Sequence, residues 1–263
     1  MHKIYNNKFF STLLILICSK SVVAEETEVQ DMSDPLAVYT QAGIGYTNKG
    51  INIKIGRSYD PGVEDLMAMN VIEIKGIYGD ALGTEDNLED SVDFIRFRNF
   101  QVNTTNGQGS QIDVEFNTAL ETGSASYAFI QALPKMGAFQ FYPLAGVGLA
   151  IANNVNEHPL WNEASSPSGY SFPGAFALVG MYGKMAITDK IWLNYNPIWL
   201  TSVGGSDAYT ENTYGAGEDS VFTHEVILSY QINPRMNIRY FANWSNLTDF
   251  SDGDQRIEFN YQI

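Results

Sequence analysis

The sequence predicts an all-β chain closed into an antiparallel transmembrane barrel of about twelve strands, with ten or eight as alternatives. Three observations carry that prediction. Short segments alternate apolar and polar residues from Val38 to the last position; no segment after Ala24 is long and apolar enough for a spanning helix; and the connections sort into short and long. A period of two puts one face of a strand in oil and the other in water. The last segment shows it best, with Ile257, Phe259, Tyr261 and Ile263 opposed by Glu258, Asn260 and Gln262. With nothing after it to cover its apolar face, that strand needs a packed sheet or lipid.

Each element follows from the same pattern. Val38, Thr40, Ala42, Ile44 and Tyr46 make one face, and after Thr47-Asn48-Lys49-Gly50 the pattern returns as Ile51, Ile53 and Ile55, so two strands joined this tightly are antiparallel. Beyond Asp60-Pro61-Gly62, Ala68 to Tyr78 carries Ile72, Ile74 and Tyr78 opposite Glu73 and Lys75, and the acidic stretch Gly79 to Ser91 follows. In Asp93 to Val102, Ile95 and Phe97 oppose Arg96 and Arg98 while Phe100 falls on the arginine face, which a bulge would resolve. Ile112, Val114, Phe116, Thr118 and Leu120 form the clearest internal strand. Tyr127, Phe129 and Leu133 lead to the Pro134-Gly137 turn; Phe139, Phe141, Ala145, Val147, Leu149 and Ile151 make the next face. Later faces are Phe172, Phe176, Leu178 and Tyr182; Ile191, Leu193, Tyr195 and Trp199; Phe222, His224, Val226, Leu228 and Tyr230; and Ile238, Tyr240, Ala242 and Trp244.

The closing segment resembles the C-terminal strand of bacterial outer-membrane β-barrels, with Ile263 where that class usually has Phe. The resemblance implies a periplasmic C-terminus, delivery by the barrel-assembly machinery through this strand, and contact with outer-membrane lipids and lipopolysaccharide. Counting back from such a terminus puts Asn233-Pro234, Thr188-Asp189 and Pro134-Gly137 inside, and the loops Asn246 to Asp254, Gly204 to Ser220, Asn153 to Gly169 and Gly79 to Ser91 outside. Fifteen Tyr and 15 Phe suit the aromatic girdles of such barrels, and a mean hydropathy of −0.15 conceals the apolar face by averaging it with the polar one.

The start of the chain agrees. Lys3 and Lys8 precede an apolar run from Phe9 to Cys18, and Val22-Val23-Ala24 forms a cleavage site, so residues 1–24 read as a signal peptide and Glu25 as the mature start. Residues 25–35, acidic and poor in apolar side chains, read as a flexible periplasmic segment before a barrel spanning 36–263. Ile17 stands where a lipobox needs a small residue. Cys18 is the one cysteine, so the mature protein has neither a disulfide nor a thiolate site. Of 15 Lys and Arg, three lie in the leader, leaving 12 against 30 Asp and Glu, a formal charge of −18 that excludes nucleic acid as a partner.

Chemistry is therefore sought on the inward face. Lys54, Glu73, Lys75, Arg96, Arg98, Asp113, Glu115, Glu225, Arg239 and Glu258 all alternate with apolar neighbours, and closing the sheet gathers them in the lumen, where Arg96 and Arg98 can oppose Asp113 and Glu115. They form either a charged constriction or a space-filling ion-pair network. Gly43, Gly45, Gly146 and Gly148 leave room for long side chains or for water. No metal-ligand spacing occurs, no cofactor is implied, and aligning Gly253 with the glycine of an EF-hand loop puts Thr248 and Phe250 where carboxylates are needed. Outer-membrane phospholipases and lipid A deacylases place a Ser two residues after a His. Here Glu225 and Val226 follow His224, leaving Ser202 or Ser220 as distant candidates and His158 in a loop. The first reading is a small passive channel for neutral or cationic solutes, not an enzyme. A plugged structural or adhesive barrel is the second and a lipid-modifying enzyme the third. Oligogalacturonate porins, also barrels of this size class, differ in their strongly basic lumen.

Overall fold

A computed structural model describes residues 29–84 and 91–263. The predicted signal peptide, Glu25 to Glu28, and part of the acidic stretch Gly79 to Ser91 lie outside the described residues. In chain order the strands are β1 (Gln41–Thr47), β2 (Gly50–Tyr59), β3 (Leu66–Ile77), β4 (Phe94–Asn103), β5 (Gln108–Asn117), β6 (Thr122–Gln131), β7 (Phe139–Asn153), β8 (Tyr170–Ser171), β9 (Gly174–Ala186), β10 (Ile191–Tyr195), β11 (Ile198–Gly205), β12 (Ser220–Asn233), β13 (Met236–Ser245) and β14 (Gln255–Gln262). Two short helices, α1 (Gly79–Leu82) and α2 (Asp207–Asn212), sit in outer connections.

Every pairing is antiparallel, and β14 returns to β1 with Ile44 opposite Phe259, so the sheet closes on itself. Strands β10 and β11 share one place in the ring, because both pair with β9 and β12. The break between them is Asn196-Pro197, where proline has no N–H to give the ladder. The two-residue β8 pairs with β7 alone. Twelve strands therefore close the wall, and closure leaves no edge with unpaired backbone.

The outward face is apolar. Ile55 and Val147 are each 61% exposed, and Ile44, Ile72, Tyr127, Phe129, Val179, Leu228 and Ile257 continue the belt around the ring. An apolar band on every strand suits acyl chains and no aqueous surface. The largest connections, residues 78–93, 154–173, 206–219 and 246–254, share one end. Two connections at that end, Asn48-Lys49 and residues 118–121, are short, so length sorts the long loops but not every one.

Four expectations need correction. The barrel wall starts at Gln41, not at residue 36, and the expected flexible segment does not hang free over its described part. Leu36 is 9% exposed and Val38 4%, inside the lumen against Met69, Val71, Val102, Ile130, Tyr142, Leu144, Phe176 and Leu178, and Met32, 4% exposed, lies against Gln231 and Asn237. Asp34 caps the turn by accepting from the Leu36 amide (2.9 Å) and the Tyr142 hydroxyl (2.9 Å), while Lys184 Nζ lies 3.1 Å from Asp31 Oδ2. Second, β4 has no bulge: its register with β3 and β5 is unbroken, and Phe100 faces inward to pack on this luminal cluster. Third, Phe176, Leu178 and Tyr182 also face inward, while Ala175, Ala177, Val179 and Met181 take the outer face. Fourth, Ile191 to Trp199 is two strands, not one. The first three share a cause, namely that part of the lumen is apolar.

Two substitutions test which solvent the belt meets. Val147→Arg should destabilise the protein in lipid vesicles by about 2–4 kcal/mol, whereas Leu120→Arg, in the outer connection after β5, should cost under about 0.5 kcal/mol. Urea titration followed by tryptophan fluorescence measures both, and equal effects would place the Val147 face in water.

Candidate functional site

A cavity of about 610 Å³ occupies the lumen. Thr248 and Asp254 of the outer connections line one end, and Met32 to Pro35 line the other as a floor. Of the ten residues predicted to face inward, Lys54, Glu73, Lys75, Arg96, Arg98, Glu225, Arg239 and Glu258 line this cavity. Asp113 and Glu115 also face inward but stand behind it: Asp113 takes both forks of Arg96, and Glu115 lies 3.4 Å from the Ser124 hydroxyl.

The ion pairs run across the strands in a different pattern from the one expected. Arg96 sits opposite Glu115 in register yet pairs diagonally with Asp113, and Arg98 turns the other way to Glu73 on β3. Glu73 also takes Lys75 at 3.9 Å. Lys54 on β2 reaches Glu258 on β14 at 2.5 Å, spanning the whole of β1. That reach depends on Gly43, where an added Cβ would lie 3.2 Å from Lys54 Cε and 2.7 Å from Asn260 Oδ1. At Gly45 the Arg256 stem lies 3.5 Å from the same imagined atom, and Phe176 and Ala128 crowd Gly148 and Gly146. All four glycines therefore make room for neighbouring side chains and backbone.

Sequence reasoning missed Arg256, which is 8% exposed, lines the cavity and lies 3.7 Å from Glu258. Its signal was present: it stands two residues before Glu258 on the same face. The apolar floor was also missed, because residues 25–35 read as an acidic, solvated segment and Val38 as part of the first strand. Six basic and six acidic side chains line the cavity, Asp252 and Asp254 of an outer connection among the acids, while the chain as a whole carries −15. The negative charge concentrates at the outer connections, which hold Lys49 as their one basic residue.

The histidines stand outside the ion-pair network, although His224 contributes to the cavity wall. His224 shares the outward face of Phe222 and Leu228, its ring 5.0 Å from Trp244 and its Nδ1 2.8 Å from the Tyr195 hydroxyl. Ser202 donates to the Thr210 carbonyl at 2.9 Å, so neither ring nitrogen of His224 meets a serine among the described residues. His158 stacks on Trp161 at 4.0 Å in an outer loop, where its Nδ1 accepts the Trp161 amide (3.1 Å) and burial holds its pKa below the usual value. Among the described residues no cluster of His, Cys, Asp and Glu could hold a metal ion.

No protein-family model and no curated protein matches the chain. Among solved structures it is similar to an outer-membrane channel of Pseudomonas putida F1, at TM-score 0.55 and 9% identity over 89% of this chain and 98% of that one. It is also similar to the NanC porin, at TM-score 0.49 and 7% identity over 85% and 98%, and to the KdgM porin in complex with disordered oligogalacturonate, at TM-score 0.47 and 7% identity over 86% and 99%. At such identities the likeness is one of fold. With its apolar belt, that fold makes the protein a β-barrel of the bacterial outer membrane.

Proposed function

We propose that the protein is a passive channel for small neutral or cationic solutes. The cavity carries this reading: it is large enough for a small molecule, walled by charged side chains, and reached through the outer connections. Their carboxylates, opposed by Lys49 alone, raise the local concentration of cations and repel anions. Inside, paired charges let a neutral solute pass without meeting a net field. Lipopolysaccharide and lipid would cover the belt, and β14 is the segment offered to the assembly machinery. Lipid hydrolysis has less support, because the hydrogen-bond partner of His224 is a tyrosine rather than a nucleophile.

One observation favours a plugged barrel as the second reading. Met32, Leu36 and Val38 are buried inside the barrel at the floor of the cavity, so on this reading solute flow requires the segment to shift. Planar-bilayer recording separates the two. The mature protein should give stepwise currents whose reversal potential in a KCl gradient lies on the potassium side. Leu36→Asp with Val38→Asp, which puts two carboxylates into the apolar floor, should raise open probability at least about tenfold, as the loss of roughly 1.5–3 kcal/mol per buried side chain requires. Silence from both proteins, each shown folded by its altered gel mobility without boiling, would support the plugged barrel.

A further inference from the structure

Arg256 makes no side-chain hydrogen bond among the described residues. The residue is more than nine-tenths buried, with Glu258 at 3.7 Å and the Phe241 ring at 4.0 Å from its guanidinium, and its buried Nε has no hydrogen-bond partner among the described residues. Arg239 packs on the same ring at 5.0 Å, forms no ion pair among the described residues, and donates to Ser229 (3.1 Å) and Asn194 (3.3 Å). The two guanidinium groups therefore share one aromatic ring at the cavity wall, and the two terminal nitrogens of Arg256, which make no hydrogen bond among the described residues, offer the paired N–H contacts that suit a carboxylate. In the same cavity Glu225 accepts from Asn196 at 2.8 Å and forms no ion pair among the described residues, so one carboxylate stands ready for a cation.

We infer that this cavity holds a subsite for a small zwitterion, its carboxylate on Arg256 and Arg239 and its ammonium on Glu225. A simple anion would suit the arginines but must first pass outer connections with a single cation. A simple cation passes them and suits Glu225 but leaves the terminal nitrogens of the two arginines without a carboxylate from the solute. A molecule carrying both charges is not repelled at the mouth and satisfies both ends inside. The inference rests on the channel reading only in that solutes must reach the cavity.

Equilibrium binding tests it without any current. Mature protein in detergent micelles would be titrated by calorimetry with 4-aminobutyrate, butyrate and butylammonium, which share one skeleton and differ in charge. The zwitterion should bind saturably and more tightly than either control. Arg256→Gln and Glu225→Gln should each weaken it about tenfold, the effect of losing one charge-assisted contact. Arg256→Lys, which keeps the charge and loses the fork, should weaken it as well, and it serves if the glutamine variant misfolds. Butyrate binding as tightly as 4-aminobutyrate and indifferent to Glu225→Gln would overturn the assignment in favour of a plain anion site. Failure of all three ligands to bind would remove the subsite, while the conductance of the channel would stand or fall separately.

Discussion

The closure of β14 onto β1 is the constraint from which the rest follows. A sheet in lipid has no water to satisfy an open edge, so every N–H and C=O of the wall must find a partner within the wall. Once the ring closes, the period of two leaves each residue one of two environments, and apolar side chains on the outer face commit their neighbours to the lumen. Charge enters the interior because it has nowhere else to go.

The interior then has to neutralise what it gathers. Lone charges in a partly dry lumen are costly, whereas paired ones recover much of that cost if the geometry allows. Geometry explains the glycines: the Lys54 to Glu258 pair jumps over β1 because Gly43 has no side chain in the way. Arg96 and Arg98, adjacent on one face, divide their partners by turning to opposite neighbours, β5 and β3. A net balance inside and an acidic rim outside follow from the same sequence, because the basic residues are spent in the wall.

The sequence made the barrel, its strand number and the inward set of ten charged residues legible, since all depend on alternation within single strands. Partner choice was not legible. Arg98 pairs with Glu73 rather than Asp113 because of strand twist and side-chain reach, which a register alone does not contain. Nor was the destination of the segment before β1: residues 25–35 read as solvated from their acidic composition, and Leu36 and Val38 as barrel wall, although Met32, Leu36 and Val38 are buried inside.

The places where alternation failed point to the segment that sequence reasoning misplaced. Phe100 on the arginine face, and Phe176 and Leu178 on the inward side of β9, break the rule that a lumen is polar. Left bare, they would put an apolar patch against water. They are instead joined by Val71, Ile130 and Leu144 into one surface, and the stretch before β1 carries apolar side chains that cover it. Leu36 and Val38 dock there, held by Asp34 on Tyr142 and Asp31 on Lys184. An inward apolar cluster in an otherwise polar barrel is thus a sign, readable in the sequence, of a further segment folded into the lumen, since those side chains need a covering that neither lipid nor water supplies.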